Sequence, residues 1–397
     1  MKYDFDKVYP RQNTNSAKWD AVEEMFGRRD IISMWVADMD FPTAKPIVDA
    51  LKERAAHPFY GYTMPAPGLV ESISSRMQKK YNWKIEPEWI VFTAGVIPAI
   101  STAISAITRP GDEVIIQEPV YYPFFPVIKQ NGCQVATNQL RLAGGRYEMD
   151  FDDLEARFGP KIGMTDTPSR VKALLLCNPH NPVGRLWELK ELERLGDISI
   201  GHGATVISDE IHCELLYKGY QHTPFAAISK EFEQNSITCM APSKTFNLPG
   251  LHASSIIIPN AKLRAAFKEA GTGIAGPNLF GFTAMEAAYR HGDEWLSQML
   301  EYLESNLEFV LNYFKVNIPQ ITPIRPQATY LLWLDCHKLE LDDMNLRDFI
   351  RSQAKLGLDD GFLFGKGGSG FQRMNIACPR SVLEEALTRL KKAVDLL

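Results

Sequence analysis

No apolar run in this sequence of 397 residues approaches the roughly 18 residues that a membrane-spanning helix needs. A surplus of one charge sign is also lacking. The formal net charge of -5 offers no basic field to a nucleic acid, and the mild acidity argues against such a partner. Six cysteines are scattered without a C-x-x-C pair, so they imply neither a disulfide framework nor an obvious zinc site. The expectation for them is six reduced, mostly buried thiols. The opening MKYDFDKVYP lacks the basic-then-apolar layout of a signal peptide. Internal repeats and low-complexity tracts are missing as well. What is present is 45% hydrophobic and 11% aromatic residues, which excludes a disordered chain. A soluble, cytoplasmic globular protein is expected, with two or three units at roughly 100–200 residues each.

The middle of the chain alternates short apolar strands with helical stretches. Strands are predicted at Trp89–Thr93, Glu113–Gln117, Val171–Cys177, Thr205–Asp209, Ile237–Met240 and Ser254–Ile258. Helical segments such as Pro98–Ile107 and Trp187–Leu195 lie between them. This alternation predicts an α/β domain with a largely parallel sheet flanked by helices, and runs such as Ala173–Cys177 fit strands buried on both faces. The ends read differently. Leu296, Leu300, Leu303, Leu307, Val310, Leu311 and Phe314 recur at helical spacing over Glu294–Phe314. Beyond that helix come strand-like Tyr330–Leu334, a glycine-rich loop, strand-like Met374–Ala377 and a last helix. Ser381 and Glu384 predict a capping box for it, and Leu383, Leu387, Leu390 and Val394 its buried stripe. The pattern gives two domains: a continuous large one over 46–290, and a small α+β one from 1–45 with 291–397.

In open α/β sheets ligands bind outside the carboxyl ends of the strands. At or just after the predicted strand ends stand Gly95, Tyr121 with Tyr122, Asn178 with Asn181, Asp209 with His212, and Ser243 with Lys244. Together they describe a site for something anionic and aromatic, with a reactive amine. Lys244 follows an apolar strand and precedes a loop. It is either a solvated surface lysine or a desolvated amine able to act as a nucleophile. Asp209 is either a helix cap or ion-pair partner, or a buried carboxylate facing a cation. Gly95 stands in a strand–turn–helix segment whose backbone N–H groups can cradle a phosphate. Tyr121 either fills core or stacks on a flat ring.

Two patterns are decoys. Gly365, Gly367 and Gly370 satisfy G-x-G-x-x-G, with Glu385 about twenty residues on, but the following Phe371–Ile376 is strand-like where a dinucleotide fingerprint needs a helix. His180, His202 and His212 show no metal-motif spacing.

Four segments carry a resemblance: Asn178-Pro179-His180-Asn181-Pro182-Val183-Gly184, Ser208-Asp209-Glu210-Ile211-His212, Ser243–Gly250, and Phe371-Gln372-Arg373-Met374-Asn375. Over nearly its whole length the sequence resembles the pyridoxal-phosphate enzymes of the aspartate aminotransferase fold. Trp35–Phe41, Tyr60–Thr63 and Ala377-Cys378-Pro379-Arg380 are similar to the cystathionine β-lyase/C–S lyase branch of them. The resemblance implies a fold of a large cofactor-binding domain plus a small domain from both chain ends. It implies that Lys244 holds pyridoxal 5'-phosphate through its amine and later moves the substrate α-proton. Asp209 would pair with the pyridinium nitrogen, Asn181 with the phenolic oxygen, and Tyr121 would stack on the ring. Gly95, Val96 and Ser243 would bind the phosphate, helped by Tyr62 from the neighbouring subunit of a homodimer. Arg373, with Asn181 and Ala37, would hold the amino-acid substrate, and Tyr122 or Lys244 would give a proton to the leaving thiolate.

The sequence departs from the aminotransferase pattern at two cofactor positions. His212 stands where a tyrosine is common, and His252 where many relatives carry an arginine for the phosphate. The implied activity is β-elimination from L-cystathionine or a related cysteine S-conjugate, giving a thiol, pyruvate and ammonia. Transamination is the alternative, since it uses the same residues. A regulatory or binding protein retaining the fold is the alternative of another class.

Overall fold

The computed structural model describes residues 1–159 and 169–397. Among them seven strands form the central sheet: β1 (Ile90–Thr93), β2 (Glu113–Glu118), β3 (Gln134–Gln139), β4 (Val171–Cys177), β5 (Thr205–Asp209), β6 (Ser236–Met240) and β7 (Ser254–Ile257). Their order is β1-β7-β6-β5-β4-β2-β3. The pairs β2–β3, β2–β4, β4–β5 and β5–β6 are parallel, and β7 runs antiparallel to both of its neighbours. Strand pleating explains the apolar run Ala173–Cys177 of β4. Ala173, Leu175 and Cys177 enter one core cluster with Ile100 and Ile104 of helix Val96–Ile107. Leu174 and Leu176 enter the opposite cluster with Leu192 and Leu195 of helix Leu189–Gly201. The expected α/β architecture, a mostly parallel sheet flanked by helices, is the one that forms.

A second, antiparallel sheet is built from Thr322–Ile324, Leu331–Asp335, Phe371–Asn375 and Asp359–Asp360, in that spatial order. Of the predicted stripe, the long helix Asp293–Asn317 buries Leu296, Leu303, Leu307, Val310 and Phe314, while Leu300 and Leu311 flank it half-buried. The N-terminal residues fasten to this part of the chain. Ile32–Ser33 pairs in parallel with Leu356–Gly357, and Phe5 lies edge-on against Trp295 at 6.0 Å.

Three local expectations change. The last helix begins at Arg380 behind Pro379, without a side-chain cap. Ser381 is therefore already inside the first turn, and Tyr302 Oη accepts from the Arg380 N–H at 2.8 Å instead. A capping box does form at Glu188 and Glu191, so the helix predicted from Trp187 starts at Leu189. Trp187 is a buried loop residue donating from Nε1 to the Cys177 carbonyl at 3.0 Å. The strand expected at Met374–Ala377 is shifted to Phe371–Asn375, because Asn375 Oδ1 accepts from the Ala377 N–H (2.8 Å) and ends it. That strand follows Gly370 directly, leaving no dinucleotide-type helix there.

Candidate active site

The carboxyl-end rim of the sheet surrounds a cavity of about 380 Å³. Each strand end delivers a wall. Ala94 and Gly95 follow β1, Tyr121 follows β2, Asn181 follows β4, and Asp209 and His212 mark the end of β5. Ser243 and Lys244 follow β6 on the short helix Pro242–Thr245, which Pro242 opens at its first position. Because β7 is antiparallel, its amino end reaches the same rim and contributes His252 and Ala253. Ala37, from the N-terminal segment, closes the other side.

The amine and the carboxylate are both perturbed. Lys244 is half-buried and its Nζ donates to the Ala37 carbonyl oxygen at 2.7 Å. Burial first, then the positive Arg373, lowers its pKa to about 8 against the opposing pull of Asp38 and Asp209. Asp209 is buried, and β4 and β6 hold its backbone on both sides: its carbonyl accepts from the Asn178 N–H at 2.9 Å, and the next N–H, of Glu210, donates to Cys239. Burial raises the Asp209 pKa to about 7, with Glu210 adding to the rise; the Ile211 N–H and Lys244 only partly offset them. His212 is buried and, with Lys244 and Arg373 close by, is held neutral at a pKa of about 3. Its ring lies edge-on to Tyr330 at 6.3 Å.

Arg373 sits on the second sheet yet reaches the rim. Its guanidinium donates to Asn181 Oδ1 (3.0 Å), to the Trp35 carbonyl (2.9 Å) and to the buried carboxylate of Asp359, with Phe364 under its face at 5.0 Å. Tyr121 is half-buried between Tyr122 and Phe124. Tyr122 turns onto Phe364 at 5.4 Å and does not line the cavity. Helix Val96–Ile107 starts at Gly95 without a side-chain cap, so its first N–H groups are open toward the cavity that Gly95, Val96 and Ile97 line. Tyr62 stands apart, fully exposed beside exposed Phe59, Tyr60 and Met64.

Ten of the twelve predicted site residues thus line the cavity or join it: Ala37, Gly95, Val96, Tyr121, Asn181, Asp209, His212, Ser243 and Lys244 line it, and Arg373 bonds to a lining residue. Sequence reasoning missed Asp359 and Tyr330. Asp359 had a weak signal, an Asp-Asp pair before a glycine-rich loop; buried Tyr330 had none. Among the described residues no cluster of His, Cys, Asp and Glu could hold a metal ion, and no helix is long and apolar enough to cross a membrane.

The profile of the aminotransferase class I and II family matches residues 29–390. The chain belongs to this family. Among its class I and II relatives, cystathionine β-lyase PatB of Bacillus subtilis is 42% identical over 98% of this chain and 100% of its own. Protein MalY of Escherichia coli is 32% identical over 99% of both chains. The crystal structure of cystalysin from Treponema denticola, which contains a pyridoxal 5'-phosphate cofactor, superposes with a TM-score of 0.95 at 37% identity, covering all of both chains.

Proposed function

We propose that this protein is a pyridoxal-phosphate-dependent carbon–sulfur β-lyase that cleaves L-cystathionine or a related S-conjugate of L-cysteine to a thiol, pyruvate and ammonia. One observation carries the reading. A lysine with a pKa near 8 and a buried carboxylate share one cavity with the open end of a helix, in a chain 42% identical throughout to a protein named cystathionine β-lyase.

The residues present fit the cofactor. Asp209 is a carboxylate whose pKa burial raises to about 7; a protonated pyridine nitrogen beside it would supply a cation that favours its charged form. The uncapped N–H groups after Gly95, together with Ser243, suit a phosphate without a basic surplus. Asn181 and Tyr121 both line the cavity, where they would hold the phenolic oxygen and the face of the ring. When bound, the cofactor supplies an electron sink for the charge left at the substrate α-carbon.

The protein's own part is binding, orientation and proton movement. Arg373 presents a planar fork to the substrate α-carboxylate, and its bond to Asn181 sets the plane of that fork. Lys244, neutral in an appreciable fraction at pH 7, takes the α-proton at Nζ. The Cβ–S bond then breaks, sulfur leaves with the electron pair, and Lys244, which lines the cavity as Tyr122 does not, returns the proton to it. His212, kept neutral, adds no competing positive charge beside Asp209. Residues 46–290 act as the cofactor-binding domain, and 1–45 with 291–397 as the part that closes over substrate. A cytoplasmic homodimer fits this reading, with exposed Tyr62 completing the phosphate site of a second copy.

The test is incubation with L-cystathionine and no keto-acid acceptor. Sustained release of pyruvate and thiol is expected. A single turnover that stops with one keto acid per site means transamination. Purified protein without a visible cofactor band, unaffected by Lys244→Ala, means a binding protein.

A further inference from the structure

The segment Trp35–Asp38 presents four consecutive carbonyl groups to side chains from elsewhere in the fold. Trp35 O accepts from Arg373 at 2.9 Å. Val36 O and Asp38 O both accept from Asn375 Nδ2, at 2.7 and 2.6 Å. Ala37 O accepts from two donors of its own: Lys244 Nζ at 2.7 Å and the Tyr330 hydroxyl at 2.9 Å. Tyr330 is buried, at 1% exposure, and its ring also lies edge-on to His212. A second observation points the same way. Thr329, immediately before it, is a β-branched residue at φ 70°, in the left-handed region that such residues avoid. That conformation is held by the Thr329 N–H donating to Leu215 O at 2.7 Å, and by the Thr329 hydroxyl accepting from the Leu331 N–H at 3.1 Å. Strain of this kind persists where surrounding structure over-determines it, and it clusters at functional sites. Here the strained residue immediately precedes Tyr330.

We infer that Tyr330 is a positioning residue for Lys244: its hydroxyl fixes the Ala37 carbonyl that receives the lysine amine, and so sets where that amine rests when it is not engaged with cofactor or substrate. A carbonyl oxygen has two lone pairs, and both are used. With the hydroxyl in place the acceptor cannot rotate away from Nζ. Without it, the flanking bonds from Asn375 still hold the segment, but the Ala37 peptide alone is free to turn. The ammonium form of Lys244 then loses its acceptor, and the neutral form gains. Arg373, Asp38, Asp209 and His212 also act on this amine or feel its charge; Tyr330→Phe leaves all four side chains in place, although Asp38 and Arg373 also act on the hydroxyl it removes. The inference deepens the proposed lyase reading and rests on it only for its kinetic consequence.

Tyr330→Phe keeps the ring and its packing on His212, so circular dichroism and the melting temperature serve as controls of folding. In cofactor-free protein, Lys244 is labelled with acetic anhydride across pH and its peptide is quantified by mass spectrometry. The expected result is a labelling midpoint below that of wild type and labelling at pH 7 at least threefold faster. In the cofactor-loaded enzyme, exchange of the substrate α-proton with solvent and kcat should fall together by five- to tenfold, with KM within twofold. A melting temperature that falls while the labelling midpoint stays put, or moves upward, overturns the inference and leaves Tyr330 a core residue. The labelling arm stands whichever reaction the enzyme performs, so failure of the lyase reading would show separately, as absent pyruvate release by wild type.

Discussion

Lys244 carries a stability cost that its chemistry explains. Its pKa of about 8 lies below the ordinary 10.5, so between those values the unfolded chain binds more protons than the folded one. Stability of the cofactor-free protein therefore rises with pH through that window, and below pH 8 the full cost of burying an ammonium remains. Lys244→Met removes the cost. The variant should be catalytically dead yet, without cofactor, more stable than wild type at pH 7, on the order of 1–3 kcal/mol by denaturant titration. The difference should shrink from pH 8 to 10.5. Equal stability at pH 7 would show that the amine is better solvated than its surroundings imply. Arg373 sits in the opposite situation, because Asp359 already neutralises it in the free protein. Arg373→Lys replaces a fork by a point charge and abandons either Asn181 or Asp359. A roughly 10- to 100-fold loss in kcat/KM is expected, mostly through KM, as measured with L-cystathionine.

Elements were legible in the sequence where burial is two-sided and illegible where tertiary contacts decide. Strands β4 and β5 announce themselves through the apolar runs Ala173–Cys177 and Val206-Ile207, which lead to the functional residues that follow or end them. The edge strand β3, with sequence QVATNQ, went unpredicted: it is polar, and Asn138 is buried only because Gln117, the Asp150 carbonyl and Asp153 bond to it. The false capping box at Ser381 and the real one at Glu188 differ in where the chain enters the helix, which Pro379 fixes in the first case. The site was readable because strand ends are positions of known function in this architecture. Its support was not: Tyr330 and Asp359 matter through partners roughly 300 and 14 positions away. The turn leading into Phe371 makes a further prediction. A Cβ on Gly361 would stand 2.1 Å from Gly368 O and 2.5 Å from Phe371 O, both backbone atoms that cannot swing aside. Gly361→Ala should lower stability by about 2–4 kcal/mol in a urea titration. A loss under ~0.5 kcal/mol would mean that this turn relaxes freely.

At the scale of the whole molecule, one chain holds every proposed site residue except a local use for Tyr62. That side chain projects fully into solvent from an irregular segment, with Phe59, Tyr60 and Met64 exposed around it. An exposed apolar strip of that kind is what a homodimer of the proposed enzyme would cover. In a two-fold homodimer the same patch meets its counterpart, so a residue given to the partner's site is matched by one received. This makes a complementation experiment decisive. Tyr62→Ala and Lys244→Ala are each expected to be nearly inactive alone. Unfolded together and refolded as a mixture, they form mixed dimers in which one site carries both defects and the other carries neither. With random pairing, half of the dimers are mixed and half of their sites are intact, so roughly a quarter of wild-type lyase activity should return. If Tyr62 instead served its own chain's site, every site in the mixture would carry one defect, and activity would stay at the level of the separate variants.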